Sequence, residues 1–220
     1  MPKTYRGYAT TRRGSDTVTD RVYRALKRDI VTGALKPGDS VPVRQLGKRF
    51  RASRTPVREA LIRLAQEAFV AIHPRRGVFV TGVSPRELHE ICQVREMLEG
   101  LAARLACQHA DKATLDRLES ELRTARSTGL YKDLVAVGMK VHAWVCHASN
   151  NATLAAMITT LHSHMARIFA LFADNQVVAK ESYAQYQAII DAIRDNDPDA
   201  AEASMRRHIA LAKEHMLKGI

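Results

Sequence analysis

The sequence predicts a mainly α protein, an N-terminal winged helix-turn-helix followed by a C-terminal all-α helical bundle. Three observations lead there. Apolar residues recur at helical spacing three times within residues 18–66, and two short alternating segments follow. From residue 84 onward the helical periodicity continues with no strand signal. The charge is also divided: residues 1–82 carry 18 Lys and Arg against 6 Asp and Glu, net +12, and residues 83–220 carry 16 against 17, net −1. A basic module joined to a near-neutral one implies that the first meets a polyanion and the second does something else.

Residues 1–16 hold Gly, Thr and Arg without an apolar period and read as a flexible basic arm. The winged helix-turn-helix is expected over 17–82. Its first helix carries the stripe Val18, Val22, Ala25, Leu26 and Ile30, with Asp16 or Thr17 as cap and Gly33 as stop. Leu35-Lys36-Pro37-Gly38-Asp39 reads as a turn. A short helix over Val43–Phe50 turns Leu46 and Phe50 inward. Ser53 caps the third helix, whose buried stripe is Val57, Leu61 and Leu64. Phe69–His73 and Val78–Thr81 flank Pro74-Arg75-Arg76-Gly77 as a β-hairpin with a basic tip.

Gly82-Val83-Ser84-Pro85 is the linker, and residues 83–220 are expected to form the helical domain. Ser84 and Glu87 make a capping box with Pro85 at the first helical position. Six helices are expected at 84–109, 112–127, 130–148, 151–173, 177–195 and 198–218. Trp144, Phe169 and Phe172 read as core. Three cysteines, an odd number without C-x-x-C, predict buried thiols in a reducing cytoplasm. No stretch reaches the ~18 uncharged apolar residues of a membrane span, and the basic start lacks the apolar run of a secretory signal.

The third helix carries Arg54, Thr55 and Arg58 near its start, where a helix-turn-helix reads base edges. Arginine there can pair bidentately with guanine O6 and N7. The basic hairpin tip, with Arg75 and Arg76, agrees with a duplex DNA partner.

Three blocks carry a resemblance: Lys36-Pro37-Gly38-Asp39, the long run Ser53-Arg54-Thr55-Pro56-Val57-Arg58-Glu59-Ala60-Leu61, and Pro74-Arg75-Arg76-Gly77-Val78. They resemble the GntR family of bacterial transcription regulators. The remainder is similar to the FCD-type effector domain of its FadR-like subfamily. Supporting matches are Val94-Arg95-Glu96-Met97-Leu98-Glu99, Val141-His142, Ser149-Asn150-Asn151 and Ala203-Ser204-Met205-Arg206-Arg207-His208. The resemblance implies DNA contacts at Arg44, Arg54, Thr55, Arg58 and Gly77, and GT and AC cores in the operator. It departs at Arg51, where the family has Gly or a small residue, and at Val43, where it has an acidic or polar one. Arg51 is then a candidate phosphate contact.

In many relatives one Asp and three His bind a divalent metal. Here the Asp position is Gly138, the second His position is Tyr186, and only His142 and His208 remain. Two imidazoles without a carboxylate rarely hold a metal, so no cofactor is expected. If a metal binds, the candidates are His142, His208 and His164, with His162 as another possible donor. The metal-free alternative is a polar pocket in which Arg95, His142, Tyr186 and His208 bind the effector. Arg95 lies among Ile91, Val94, Leu98 and Ala102, and a buried arginine needs an acceptor. That acceptor is either the effector, as the resemblance implies, or Glu99 one turn on.

The expectation is therefore a cytoplasmic repressor that binds an inverted-repeat operator as a homodimer. A small molecule, an organic acid, controls it without a metal. A metal-responsive regulator is the alternative. A metal-dependent enzyme is disfavoured, because there is no nucleophile–base pair, phosphate loop or intact ligand set. A sequence-neutral architectural DNA binder would have no use for the polar set His142, Tyr186 and His208.

Overall fold

Thr17 starts α1 (Val18–Val31) by accepting the Asp20 N–H at 3.1 Å, and the helix buries Val22, Ala25, Leu26 and Ile30. The computed structural model describes residues 16–82, 84–169 and 176–218. The arm over 1–15, Val83 and residues 170–173 of the expected fourth bundle helix, with Phe172, lie outside the described residues. After α1, α2 (Val43–Phe50) buries Leu46, and α3 (Arg54–Gln66) buries Val57, Ala60, Leu61 and Leu64. β1 (Val70–His73) and β2 (Gly77–Val80) pair antiparallel, Val70 opposite Val80 and His73 opposite Gly77. Phe69 is fully enclosed beneath the hairpin and seals the small core of this module.

Three details differ from the sequence expectation. Ser53 stands at the N-cap of α3 with extended backbone, but its side chain makes no capping bond. The 36–41 segment is more than a turn. Gly38 donates to Val80 O at 2.9 Å, Val41 donates to Val78 O at 2.8 Å, and Ser40 bridges Phe79, so this stretch runs along the free edge of β2. Arg51 ends α2 in the left-handed region, at φ 49° and ψ 46°.

The second unit begins with α4 (Pro85–Ala106), where Ser84 Oγ accepts the Glu87 N–H at 3.0 Å. A 3₁₀ turn over Cys107–His109 leads to α5 (Lys112–Thr128), capped by Asp111 and closed by Gly129 at φ 67°. Then come α6 (Tyr131–Ala148), α7 (Ala152–Phe169), α8 (Gln176–Arg194) and α9 (Pro198–Leu217), the last capped by Asp197. α4 packs along α9, while α6 and α8 close the bundle round a core that includes Leu88, Val141, Ile158, Ile189, Ile193 and Met205. Trp144 packs on this core, and Cys92, Cys107 and Cys146 are buried and free. Val94 was expected inward but is 48% exposed. Register explains it: Cys92, Arg95 and Glu99 take the inner face of α4, which turns Val94 outward. The chain divides into two compact units after Gly82.

Candidate functional site

α3 presents Arg54, Thr55 and Arg58 to solvent because Val57, Ala60, Leu61 and Leu64 occupy its buried face. Arg44 is exposed on the first turn of α2, and Arg75 and Arg76 are exposed at the hairpin tip. Arg75 at φ 64° and Gly77 at φ 115° shape that tip. Arg44, Arg54, Arg58, Arg75 and Gly77 line one groove of about 1130 Å³ between α3 and the hairpin. Thr55 and Arg76 are outside its lining. Ile62 and Ile72 face the same groove, 41% and 46% exposed, and offer apolar contact beside the arginines.

Charge pairing separates two kinds of arginine in this unit. Arg24, Arg49 and Arg63 are tied to Asp16, Asp29 and Asp20. Among the described residues, Arg44, Arg51, Arg54, Arg58, Arg75 and Arg76 have no carboxylate within ion-pair distance. Their uncompensated charge lies on the helix start and hairpin tip, the parts of a winged helix that face a duplex.

In the helical unit, Arg95, His142, Tyr186 and His208 come together around a residue that supplies the charge, Glu99. Arg95 Nε donates to Glu99 Oε1 at 2.6 Å, and His142 Nδ1 lies 2.6 Å from Glu99 Oε2. His162 Nε2 is 3.1 Å from the same oxygen, within ion-pair distance but not aligned for a hydrogen bond. Of the two acceptors open to Arg95, the structure shows Glu99. Burial alone pushes the Glu99 carboxyl up, but the Arg95 guanidinium beside it and the His142 contact hold it well below the usual carboxylate range. Burial holds His142 below the ordinary histidine value against the pull of Glu99, and it holds His208 well below, helped by His142 and Arg95. Arg95 is the guanidinium that faces the Glu99 carboxylate, and His142 and His162 lie against its other oxygen.

The cluster continues beyond Glu99: His142 Nε2 lies 3.2 Å from His208 Nε2 and 3.5 Å from the Tyr186 hydroxyl. His208 Nδ1 lies 2.8 Å from Gln185 Oε1, which accepts its N–H. Gln185 was not foreseen, since no spacing rule directs a residue beside Tyr186 to the same cluster.

The metal shell that the resemblance implies does not fit these residues. A Cβ on residue 138 would lie 2.2 Å from the Tyr186 hydroxyl, so Tyr186 fills the volume a ligand at that position would need. Among the described residues, the donors within 4.8 Å of one another are Glu99, His142 and His162. His164 and His208, named above as ligands for a bound metal, are not in that set. Arg95 against Glu99 repels a cation there. Beside Arg95, His142 and His162 only about 30 Å³ of space remains.

The family described as bacterial regulatory proteins of the gntR family matches residues 18–80, and the FCD domain matches residues 90–211. The chain is similar to the transcriptional regulator McbR of Escherichia coli K12, 30% identical over 188 residues that cover 83% of this chain and 85% of the relative. It is similar to the transcriptional repressor RspR of the same strain, 27% identical over 195 residues, with 87% and 86% covered. The solved structure of E. coli McbR/YncC superposes with a TM-score of 0.75 at 26% identity, over 92% of this chain and 98% of that one.

Proposed function

Since the chain belongs to the GntR family of bacterial regulators with an FCD domain, and is thus a DNA-binding transcription regulator and not an enzyme, we propose that it is a repressor. It holds an inverted-repeat operator as a homodimer and releases it when a small organic acid binds the helical unit. The observation that carries the DNA part is the groove in which Arg44, Arg54, Arg58 and Arg75, all without acidic partners among the described residues, converge between α3 and the hairpin. One such module covers one half-site, so a palindrome calls for two copies. Val94, Met97 and Leu101 are exposed at i, i+3 and i+7 on α4 and offer an apolar stripe for that pairing. No helix among the described residues is long and apolar enough to cross a membrane, in keeping with a cytoplasmic protein.

The test is fluorescence anisotropy with a duplex selected from a random pool by the full chain, beside a scrambled duplex. Arg54→Ala or Arg58→Ala should weaken the selected duplex by about 1–3 kcal/mol and the scrambled one much less. Equal losses on both would reduce these arginines to phosphate contacts.

The acid is proposed on the donors Arg95, His142, Tyr186 and His208, where it would take Arg95 and His142 over from Glu99 without a bridging metal. A space of about 30 Å³ holds one water and no acid, so entry requires the side chains that line it, Met139 and Met165 among them, to move. Organic acids titrated in chelator should still change DNA affinity. A response that vanished with chelator and returned with zinc, nickel or manganese would refute the metal-free reading.

A further inference from the structure

The helical unit has a second concavity, away from the histidine cluster. It lies between the end of α5, the start of α6 and the outer face of α8. Its volume is about 730 Å³, inside the range of small-molecule sites and far above the space at the cluster. Ala125, Leu130, Leu134, Ala184 and Ala188 make its wall apolar. The Arg126 guanidinium lies 4.6 Å above the Tyr183 ring at the rim.

One acidic and one basic group line this space, Asp191 and Arg126, and they are not equivalent. The Asp191 carboxylate accepts from Gln187 at 3.0 Å and from Arg194 at 3.3 Å, which tie it to its own helix, although Arg194 also pairs with Asp116 and Glu119. Among the described residues, Arg126 has no carboxylate within ion-pair distance. The aromatic ring holds its planar cation in place without neutralising it. The cavity therefore combines an apolar wall with one guanidinium, Arg126, that is held on a ring and has no carboxylate partner among the described residues, while Asp191 is engaged by Gln187 and Arg194.

We propose that this cavity binds an anionic amphiphile, a carboxylate or sulfonate on a medium-length apolar body. The anion lies on Arg126 and the body lies against α8. Tyr183 and Gln187 face the cavity from the same helix that carries Tyr186 over Gly138. A ligand here bears on the helix that supplies Tyr186 and Gln185 to the central cluster. That regulatory consequence rests on the effector-controlled reading above, whereas the site itself does not.

Isothermal titration of the full chain with octanoate, and with octanol as the uncharged counterpart, tests the site. Octanoate should bind once per chain and octanol about tenfold more weakly. Arg126→Gln should cost octanoate about tenfold and leave octanol unchanged, because only the charge-assisted contact is lost. Ala188→Phe should abolish both by filling the space, with circular dichroism to verify the fold. Octanoate binding that is absent, or indifferent to Arg126→Gln, overturns the proposal. Binding lost with Tyr186→Phe but kept with Arg126→Gln also overturns it and assigns the acid to the central cluster. Failure of the operator reading would leave all of these titrations unchanged.

Discussion

At the scale of single residues, Gly138 and Tyr186 act as one unit. The sequence shows both as departures from the pattern of its relatives, but not that one occupies the volume left by the other. That complementarity spans 48 positions and two helices, and appears only when α6 and α8 are packed. A side chain at 138 has its Cβ 2.2 Å from the Tyr186 hydroxyl, with the ring carbons at 2.5 and 2.7 Å behind it. Gly138→Asp alone should therefore cost about 1–3 kcal/mol, the usual range for overpacking, read as a fall in the denaturant midpoint. Adding Tyr186→His removes the obstacle and restores the ligand types that the family resemblance implies. The double variant should recover stability and retain a divalent metal through gel filtration. Additive losses without metal would show that the two positions are not coupled in this way. Arg51 is the other informative residue. Its left-handed backbone costs a non-glycine residue about 1–2 kcal/mol. Arg51→Gly should stabilise the DNA-binding unit by about that amount. If Arg51 meets a phosphate, the slope of log K against log salt should also shrink by about one unit.

At the scale of elements, most of the fold was legible because helices announce themselves locally. Thr17, Ser84, Asp111 and Asp197 each accept a backbone N–H at a helix start, as residues of their type do. Ser53 was read by the same rule and makes no such bond. Ser84→Ala should therefore cost about 1 kcal/mol and Ser53→Ala only a small part of that. Comparable losses in chemical denaturation would mean that the Ser53 hydroxyl does cap α3. The strand-like stretch at 38–41 escaped notice for a different reason. Pro37-Gly38 is a strong turn signal, while the bonds to Val78 and Val80 join residues some 40 positions apart, which no local pattern encodes. Val94 shows the limit of stripe counting. α4 has apolar residues on both sides, and only the buried Arg95–Glu99 pair tells which side is inner. The outer stripe belongs to the proposed pairing of two copies. Met97→Glu together with Leu101→Glu should turn the dimer into a monomer by light scattering. A dimer that survived both charges would move the interface elsewhere.

For the whole molecule, two separate cores imply two responses to acid. The only histidine in residues 1–82 is His73, and it is exposed. The helical unit buries His142 and His208, both held below the ordinary histidine value by burial. Unfolding returns them to about 6.5, so the unfolded chain takes up protons that the folded unit refuses. The stability they contribute is fully present above that value and is lost as pH falls below it toward their folded values. Glu99 adds a later loss with the same sign. Its folded carboxyl sits well below the usual range, so its contribution persists until pH drops under the ordinary glutamate value and fades as the folded value is approached. Calorimetry between pH 8 and pH 5 should thus show one transition moving down and the other nearly still. The moving one should be assigned to the helical unit by its response to His208→Gln, which removes one of the two titrations and flattens the pH dependence between 6.5 and 5. If both transitions fell in parallel, or if His208→Gln left the slope intact, the buried imidazoles would not be the groups that couple this fold to protons.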